Sequence, residues 1–386
     1  MAAAQIGVRA RAVNWWEYAT EARNRLIADP RFQRWAAKSP LTRILARRRA
    51  RALFDLCAGF VYSQILQACV RLRLFEFLAK GPRGLDVICE QTGLPHEAAK
   101  RLLRAAASLR LLRALPDDRF GLDELGAAML GNPSISALIE HHGLLYDDLR
   151  DPVALLRGQV STRLGRFWPY ASDRPDAPEA NVVAGGADHG AYSALMSCTQ
   201  PLVAEDILDA YSIADHACLL DVGGGEGVFI EAAAARAPRL NFKLFDLPPV
   251  AERARVRIAA AGLAGRAEVV GGSFLRDPLP RGADLITIVR VLHDHDDESS
   301  LALLRAVRAA LSPGGRVLVV EPMSGEPGAE PIGDAYFGLY LFAMGRGRSR
   351  TRDEVAALLQ AAGFSGVRPL KMRRPMLASA LTGVRT

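Results

Sequence analysis

The stretch Asp221-Val222-Gly223-Gly224-Gly225-Glu226-Gly227 decides how this sequence folds. It follows the apolar run 217–220 and precedes an alanine-rich helical pattern over 228–237. A strand, a glycine turn and a helix in this order let the backbone come close to a ligand, because glycine has no Cβ and tolerates a positive φ. Position 228 is Val, so the spacing is G-x-G-x-G and differs from the G-x-G-x-x-G of dinucleotide folds.

The same stretch restricts the kind of ligand. No Gly-Lys-Ser/Thr follows it, which excludes a phosphate-binding P-loop. Asp221 stands directly before the turn, where its carboxylate could meet a cation. These features point to S-adenosylmethionine, which carries an ammonium and a sulfonium group and has no pyrophosphate. A structural glycine turn in another kind of α/β unit is the alternative.

Strand and helix patterns alternate along the C-terminal half of the chain. This alternation predicts an α/β fold, a Rossmann-like, doubly wound parallel sheet with helices on both faces. Ligands of such sheets bind beyond the carboxyl ends of the strands, where the strand order reverses. The predicted strands are 217–222, 241–245, 267–270, 283–289 and 316–321, the predicted helices are 228–237, 249–262, 297–311 and 352–362, and terminal strands follow.

The N-terminal half is mostly helical in pattern. After a helical stretch over 47–78, segments 85–91 and 96–111 predict a helix-turn-helix, and segments 112–115 and 120–122 predict the two strands of a wing. A winged helix can bind DNA, but it is also a common dimerisation platform, and we favour dimerisation because the C-terminal half is so well marked. The expected parts are a basic, Trp-bearing arm (1–45), a winged-helix dimerisation domain (46–160) and an S-adenosylmethionine-binding domain (161–386).

Positive charge is concentrated at the N-terminus. The net charge of the chain is +7, and residues 1–51 contain twelve arginines and lysines but three acidic residues. Because this segment also carries Trp15, Trp16, Phe32 and Trp35, it could lie peripherally on an anionic membrane. Packing on a partner subunit is an equal alternative, and nucleic acid is a weaker one.

Cysteine use and hydropathy indicate a cytoplasmic protein. The five cysteines include no C-x-x-C pair, which suits reduced thiols and argues against disulfides or a zinc site. No run approaches 18 uninterrupted apolar residues, so we expect no membrane-spanning helix, and the N-terminus lacks the apolar segment of a signal peptide.

Further candidate ligand-binding residues follow the predicted strands. Asp246 ends the second strand, where a carboxylate can accept hydrogen bonds from both hydroxyl groups of a ribose, and Leu247 comes next. The segment Gly272-Ser273-Phe274 follows the third strand, and its small residues and aromatic ring could bracket an adenine. A turn with a core phenylalanine explains that last segment nearly as well.

A histidine and a glutamate follow the next two strands. His293 lies after the strand that ends near residue 289, and histidine is well suited to accept a proton near neutral pH. Glu321 ends the following strand and could orient the imidazole. Asp294 is a further catalytic candidate, although Asp294 or Asp296 could also cap the next helix. No metal is expected, because adjacent residues rarely point at one ion.

These motifs together resemble the S-adenosylmethionine-dependent O-methyltransferases with an N-terminal winged-helix dimerisation domain. The N-terminal text 40–64 is similar to the carotenoid branch of that family, the demethylspheroidene and hydroxyneurosporene O-methyltransferases. The motifs are D-V-G-G-G-E-G (221–227), F-D-L-P (245–248), G-S-F (272–274), L-H-D-x-D-D-E (292–298), P-G-G-R-V-L-V-V-E (313–321) and R-T-R-D-E-V (350–355).

The resemblance implies roles for individual residues. The catalytic histidine of the family falls on His293 and its supporting glutamate on Glu321, and Arg290 is the basic residue nearest the position where the family has Lys or Arg. The ligand-binding positions that it implies, taken with those named above, are Asp221, Gly223, Gly224, Gly225, Gly227, Asp246, Leu247, Gly272, Ser273, Phe274 and Arg290.

The sequence departs from the family pattern at three positions in or near these motifs. His295 replaces the tryptophan of H-D-W, Ser273 stands where an acid is common, and Ser349 aligns with a second glutamate of plant relatives. The loss of that glutamate puts the orientation of the base in question, but it leaves the reaction class unchanged.

The resemblance implies a homodimer that methylates the tertiary hydroxyl of a carotenoid from S-adenosylmethionine. Helices over 135–156, the aromatic segment 167–170 and the segment 336–342 are expected to line an apolar tunnel for this substrate. A polyketide, phenolic or bacteriochlorophyll-type acceptor is the first alternative. A winged-helix DNA-binding regulator that senses S-adenosylmethionine is the second, and the histidine and glutamate at neighbouring strand ends argue against it.

Overall fold

The computed structural model describes residues 15–167 and 188–386. The chain divides into two compact units, one ending at Ala127 and the other beginning at Ala128. The sequence had placed this boundary near residue 160. Residues 128–160 instead group with the second unit, because Leu145 and Leu155 are buried in one apolar cluster with Tyr340.

The first unit contains the winged helix that the sequence predicted. Its helices are α1 (Trp15–Ala28), α2 (Pro30–Lys38), α3 (Arg43–Arg71), α4 (Leu74–Leu78), α5 (Leu85–Thr92) and α6 (His96–Ser108), with α7 (Glu124–Leu130) at the division between the units. Its strands are β1 (Arg83–Gly84), β2 (Leu112–Leu115) and β3 (Arg119–Leu122), in the order β1-β3-β2. Asp117 and Asp118, with φ of 61° and 46°, form the tight turn between β2 and β3.

The helical pattern over 47–78 is two helices and not one. Arg73 has a φ of 52°, in the left-handed region, so α3 ends at Arg71 and α4 begins at Leu74. The sequence carries no glycine or proline at this point to signal the break. Helix α2 begins at Pro30 and is capped by Asp29, whose carboxylate accepts a hydrogen bond from the Arg31 amide.

Helix α3 has a large exposed apolar face in the single chain. Leu53, Phe54, Leu56 and Phe60 are all exposed. By length and composition this helix is also long and apolar enough to cross a membrane. Its interspersed polar residues leave no uninterrupted apolar run of that length. An exposed apolar face of this size requires a cover in the working protein, either a partner subunit or a membrane.

The second unit is built on a mostly parallel sheet of seven strands in the described part of the chain. The order is β6-β5-β4-β7-β8-β10-β9, and β10 runs antiparallel to both of its neighbours. The strands are β4 (Cys218–Val222), β5 (Asn241–Asp246), β6 (Ala267–Gly271), β7 (Leu285–Val289), β8 (Arg316–Glu321), β9 (Phe364–Leu370) and β10 (Ser379–Arg385). The predicted fold class is therefore confirmed.

Helices surround this sheet and precede it in the chain. Those before the sheet are α8 (Pro133–Asp148), α9 (Pro152–Leu156), α10 (Arg163–Phe167) and α11 (Asp188–Ala210). The later ones are α12 (Val228–Arg236), α13 (Pro248–Ala260), α14 (Asp297–Ala310), α15 (Gly338–Met344) and α16 (Arg352–Ala361). A 3₁₀ turn (Leu292–Asp294) follows β7, and a π-helix (Pro331–Phe337) leads into α15.

The strand order explains where a ligand can bind. The chain runs outward from β4 through β5 to β6 and then returns to place β7 on the other side of β4. The connections after β4 and β7 therefore leave in opposite directions, which opens a crevice at the carboxyl ends of these strands. Successive residues of a strand, such as Leu219 and Leu220 of β4, are buried in separate apolar clusters on the two faces of the sheet.

Candidate active site

The glycine turn after β4 brings its backbone against the Val291 side chain at the switch point of the sheet. Gly223 has a φ of 69°, and a Cβ at this position would lie 2.6 Å from Cγ2 of Val291, which follows β7. Any other residue would therefore be strained in conformation and would also displace the Val291 side chain. The turn is packed against the segment that carries His293.

Asp246 is held at the end of β5 by the same turn. Its Oδ2 accepts a hydrogen bond from the Gly225 amide at 2.7 Å, and its Oδ1 accepts one from the Leu247 amide at 2.7 Å. Each carboxylate oxygen has a second lone pair, so Asp246 can still accept hydrogen bonds from a ligand. The two amides fix the direction in which it does so.

Asp221 lies beneath the turn as a buried acid. Thr287 of β7 donates a hydrogen bond to its Oδ1 at 2.6 Å. Burial raises the pKa of Asp221 to about 7, and the nearby carboxylate of Asp246 adds to the rise, whereas the Thr287 hydrogen bond opposes it. A cationic ligand beside this carboxyl would relieve the cost of its ionisation, so the site fits the ammonium group of S-adenosylmethionine.

A cavity of about 930 Å³, including its open mouth, lies at these strand ends. Of the eleven ligand-binding residues predicted from the sequence, those lining it are Asp221, Gly223, Gly224, Gly225, Asp246, Leu247, Gly272, Ser273, Phe274 and Arg290. Gly227 is not among the described residues that line it. It begins α12 with a φ of 86°, and a Cβ there would approach Ile258 at 3.2 Å, so this glycine serves close packing.

Helix α11 supplies part of the cavity wall that the sequence did not predict. Met196, Ser197 and Gln200 line the cavity from this helix. Ser197 donates a hydrogen bond to Glu226 of the glycine turn at 3.0 Å, which joins the helix to the turn. No motif marked these residues, because they precede the glycine turn by more than twenty residues in the sequence and meet it only through folding.

His295, in place of the family's tryptophan, packs against the predicted adenine-bracketing aromatic residue. The rings of Phe274 and His295 meet edge to face, with centroids 5.1 Å apart, and both side chains line the cavity. Burial lowers the pKa of His295 to about 3, with smaller contributions from Arg346 and His293. The imidazole is therefore neutral at physiological pH and can serve as an aromatic wall.

Arg290 occupies an unusual conformation between β7 and the histidine. Its φ is 59°, a left-handed value that is uncommon outside glycine and that concentrates at functional sites. Its guanidinium donates hydrogen bonds to the Thr199 hydroxyl at 2.7 Å and to the Met196 sulfur at 3.3 Å. This conformation turns the side chain toward α11 and fastens that helix over the cavity.

His293 lies between two carboxylates. Its Nδ1 is hydrogen-bonded to Oε2 of Glu321, and its Nε2 lies 3.2 Å from Oδ1 of Asp294. The other oxygen of Glu321 accepts hydrogen bonds from the amides of Val291 at 2.9 Å and Leu292 at 2.7 Å. One buried glutamate thus holds both the imidazole and the loop that carries it, at neighbouring strand ends as the sequence predicted.

The carboxylates outweigh burial in setting the basicity of His293. Burial disfavours the charged imidazolium and acts to lower the pKa, but the charges of Asp294 and Glu321 and the Glu321 hydrogen bond raise it, and the net pKa lies above its usual value. Asp294 also lines the cavity, whereas His293 and Glu321 are not among the described residues that do. Asp294, whose Oδ1 lies 3.2 Å from Nε2 of His293, thus connects this histidine to the cavity wall.

An aromatic wall stands beside the imidazole. The Phe337 ring lies edge to face with His293, with centroids 6.2 Å apart, and Tyr336 and Tyr340 stack at 5.9 Å. Tyr340 is hydrogen-bonded to His141 at 2.8 Å and Tyr336 to His142 at 2.8 Å. The sequence had marked segment 336–342 but not the two histidines of α8, although an adjacent pair in an apolar helix was a usable signal.

Those two histidines are neutral in this wall. Burial lowers the pKa of His141 to about 4, with a smaller contribution from the neighbouring His142, and burial also lowers the pKa of His142. The aromatic segment 167–170, which was expected to line the same tunnel, lies outside the residues whose side chains are described. In the described residues, no group of three or more His, Cys, Asp or Glu side chains could hold a metal ion.

Comparisons with known proteins agree with this geometry. The sequence-family model of the O-methyltransferase domain matches residues 146–365, and the family model of the O-methyltransferase dimerisation domain matches residues 54–132. The chain is 45% identical to a demethylspheroidene O-methyltransferase of Cereibacter sphaeroides over 94% of both chains. It is 38% identical to one of Rhodobacter capsulatus, over 94% of this chain and 88% of the other.

Solved structures give the same assignment. The structure of a mitomycin 7-O-methyltransferase superposes with a TM-score of 0.73 at 26% identity, covering 89% of this chain and all of that one. The dimerisation domain supports a homodimer, and S-adenosylmethionine is the methyl donor. The resemblance read from the motifs is confirmed. The chain belongs to the S-adenosylmethionine-dependent O-methyltransferases that carry an N-terminal dimerisation domain.

Proposed function

We propose that this enzyme methylates the tertiary hydroxyl of a hydroxylated, demethylspheroidene-like carotenoid to give a methoxy carotenoid. The observation that carries this proposal is the His293 imidazole, which is held by Glu321, lies beside the cavity-lining Asp294 and meets Phe337 of the aromatic wall edge to face. The relatives named for demethylspheroidene methylation, which match almost the whole chain, support the carotenoid as the acceptor.

In the proposed reaction His293 acts as the general base. S-adenosylmethionine, when bound, supplies an electrophilic methyl group on a sulfonium. Glu321 accepts a hydrogen bond from the Nδ1–H of the neutral imidazole, which leaves the unprotonated Nε2 as the acceptor for the hydroxyl proton. The hydroxyl proton moves to Nε2 as the acceptor oxygen bonds to the methyl carbon, whose bond to the sulfonium sulfur breaks to leave a neutral thioether, and Glu321 and Asp294 stabilise the resulting imidazolium.

We propose that the cavity residues Asp221, Asp246 and Arg290 take part in holding the cofactor. Asp246 is oriented to accept hydrogen bonds from the ribose hydroxyls, and Asp221 lies where it can balance the ammonium group. Arg290 acts by fastening α11 over the cavity. Holding the donor and the acceptor in line is expected to supply much of the rate acceleration.

The aromatic wall supports a lipophilic acceptor. Tyr336 and Tyr340 have their hydroxyl groups satisfied by neutral histidines, so the wall presents rings and no net charge to a ligand. A polyene end can bury apolar surface on such rings, and this burial is the main favourable term for a hydrocarbon chain. A polyketide, phenolic or bacteriochlorophyll-type acceptor is the alternative that an acceptor assay would identify.

Two features of the winged helix support dimerisation over DNA binding. Lys100 is paired with Asp118 at 2.8 Å, and Arg110 is paired with Glu124, so two cations of segment 96–111 are paired within the unit. The apolar face of α3 suits a partner subunit. We propose that the basic arm 1–45 adds a peripheral contact with the cytoplasmic face of a membrane, because Trp15, Trp16 and Trp35 are exposed among arginines.

An acceptor assay tests the proposed substrate. The protein is incubated with methyl-labelled S-adenosylmethionine and, in separate reactions, with a carotenoid bearing a tertiary hydroxyl, a phenolic polyketide and a bacteriochlorophyll-type ring. Label is expected in the carotenoid as a methoxy group. Transfer to one of the other acceptors alone would replace the carotenoid proposal, and a salt-sensitive, sequence-specific DNA complex without any transfer would favour the regulator.

Substitution of the proposed base tests its role. His293→Ala is expected to lower kcat at least about a hundredfold, because general-base catalysis is lost, while the Kd for S-adenosylmethionine stays nearly unchanged. His216→Ala is the matched control, since His216 is also hydrogen-bonded to a carboxylate, Asp284, but precedes β4 at the opposite edge of the sheet. Turnover of His293→Ala close to that of the control would reject the role.

The pH dependence of turnover tests the electrostatics of the base. A base works when neutral, so turnover is expected to fall as the pH drops through the raised pKa of His293, above the ordinary value of 6.5. Asp294→Asn removes a charge that raises this pKa and should move the acid limb to lower pH by roughly one unit. The exposed Asp353→Asn should leave the limb in place. An unmoved or upward-shifted limb in Asp294→Asn would contradict this account.

Vesicle sedimentation tests the role of the arm. Deletion of residues 1–40 is expected to lower binding to anionic phospholipid vesicles, and added salt should weaken the binding of the full chain. A variant with alanine at Trp15, Trp16 and Trp35 keeps the charge and measures the aromatic contribution separately. Equal vesicle binding by the full chain and the deletion variant would leave subunit packing as the role of the arm.

A further inference from the structure

The segment between α15 and α16 lies directly against the loop that carries the base. We call residues 346–350, with the sequence Arg-Gly-Arg-Ser-Arg, the arginine strap. The loop, residues 290–296, has few backbone bonds of its own: Asp294 donates to the Val291 carbonyl at 3.2 Å and His295 to the Leu292 carbonyl at 3.1 Å. Its position therefore depends on contacts from outside.

Gly347 brings the strap into backbone contact with the loop. Its φ is 80°, and a Cβ at this position would lie 2.0 Å from the carbonyl oxygen of His293 and 2.9 Å from Cα of Asp294. These are backbone atoms that cannot rotate away. The strap thus passes so close to the base residue itself that no side chain fits between them.

Arg350 holds the carbonyl groups of the same loop. This arginine is almost fully buried. It donates hydrogen bonds to the carbonyl of Leu292 at 2.7 Å and to that of His295 at 2.7 Å, and its Nε donates to Asp297 at 2.9 Å. The two carbonyls bracket His293 and Asp294, so one rigid guanidinium fixes both ends of the segment that contains the base.

The acidic run after the base is the counterpart of the strap. Arg346 donates to Asp296 at 3.1 Å, and Arg348 to Asp297 at 3.0 Å and to Glu354 at 2.7 Å. Asp296 also caps α14 through the Ser299 amide. These side-chain contacts lie near the surface and supply less energy than the buried Arg350 bonds.

We propose that Arg350, seated by Gly347, is a positioning residue that aims His293 at the acceptor oxygen; this rests on the proposed role of His293 as the base. Glu321 holds the amide groups of Val291 and Leu292, and Arg350 holds the carbonyl groups of Leu292 and His295, so the loop is gripped from both sides. Ser349, where plant relatives have a second glutamate, instead donates to the Pro322 carbonyl at 3.2 Å. Arg350 supplies the orientation that this glutamate would otherwise give.

Replacing the guanidinium separates positioning from binding. Arg350→Met keeps an unbranched apolar stem and removes every donor, and we expect kcat to fall about tenfold to a hundredfold, because a displacement on the order of 1 Å costs that much. The KM for S-adenosylmethionine should change less than about threefold, since Arg350 is not among the described residues that line the cavity. Arg350→Lys, which keeps the charge but offers no planar fork, should lie between Arg350→Met and the wild type.

Hydrogen–deuterium exchange provides a readout that does not depend on turnover. In Arg350→Met the peptide covering residues 290–296 should exchange faster than in the wild type, while peptides from β4 and β5 keep their rates. Arg308→Met is the matched control, because Arg308 also donates to backbone carbonyls, those of Gly363 and Thr386, at the other end of α14. It should leave both kcat and the exchange of 290–296 unchanged.

The outcomes distinguish the two proposals. Faster exchange of 290–296 with reduced kcat supports the positioning role. Wild-type exchange and kcat in Arg350→Met would overturn it, even if His293→Ala is inactive. Should His293→Ala retain turnover, the base fails, and the positioning role fails with it whatever the exchange shows. If Arg350→Met loses its cooperative melting transition, Gly347→Ala and Arg350→Lys decide, and wild-type kcat in both would also overturn the proposal.

Discussion

The site depends on the buried carboxylate of Glu321. One of its oxygens accepts the amide hydrogens of Val291 and Leu292, and the other is bonded to the His293 imidazole. Burying a carboxylate costs free energy unless its oxygens accept hydrogen bonds. Here the donors are His293 and the loop that carries it. The stability of the strand end and the orientation of the His293 imidazole therefore depend on the same carboxylate. Loss of any partner would affect both.

Acids at the ends of neighbouring strands have different environments, and this difference separates their functions. Asp246 accepts two amide hydrogens, whereas Asp221 is buried with a single hydroxyl donor and has a pKa of about 7. Asp294 faces the imidazole and raises its pKa. The same type of side chain is thus suited to orient a ligand, to balance a cation or to raise the pKa of an imidazole, according to its hydrogen-bond donors and its burial.

Charge elsewhere in the second unit serves structure. Asp296 was a candidate helix cap by its sequence, and in the structure it caps α14, while Asp296 and Asp297 are also paired with arginines of the strap. In the first unit, by contrast, the exposed apolar face of α3 and the tryptophans of α1 and α2 remain uncovered in the single chain. Those surfaces belong to contacts with a partner subunit or a membrane.

The sequence by itself determined the sheet, the winged helix, the ligand-lining turn and the pairing of His293 with Glu321, because strand periodicity and glycine spacing are local and parallel strands end at one edge. It did not determine the break at Arg73, the boundary at residue 127 or the close approach of Gly227 to Ile258. Only the tertiary structure decided three contacts. Helix α11 lines part of the cavity, His141 and His142 are hydrogen-bonded to the aromatic wall, and Arg350 donates to the loop that carries His293. Each of these contacts joins residues that are far apart in the chain, and their distance is set by packing and not by local pattern.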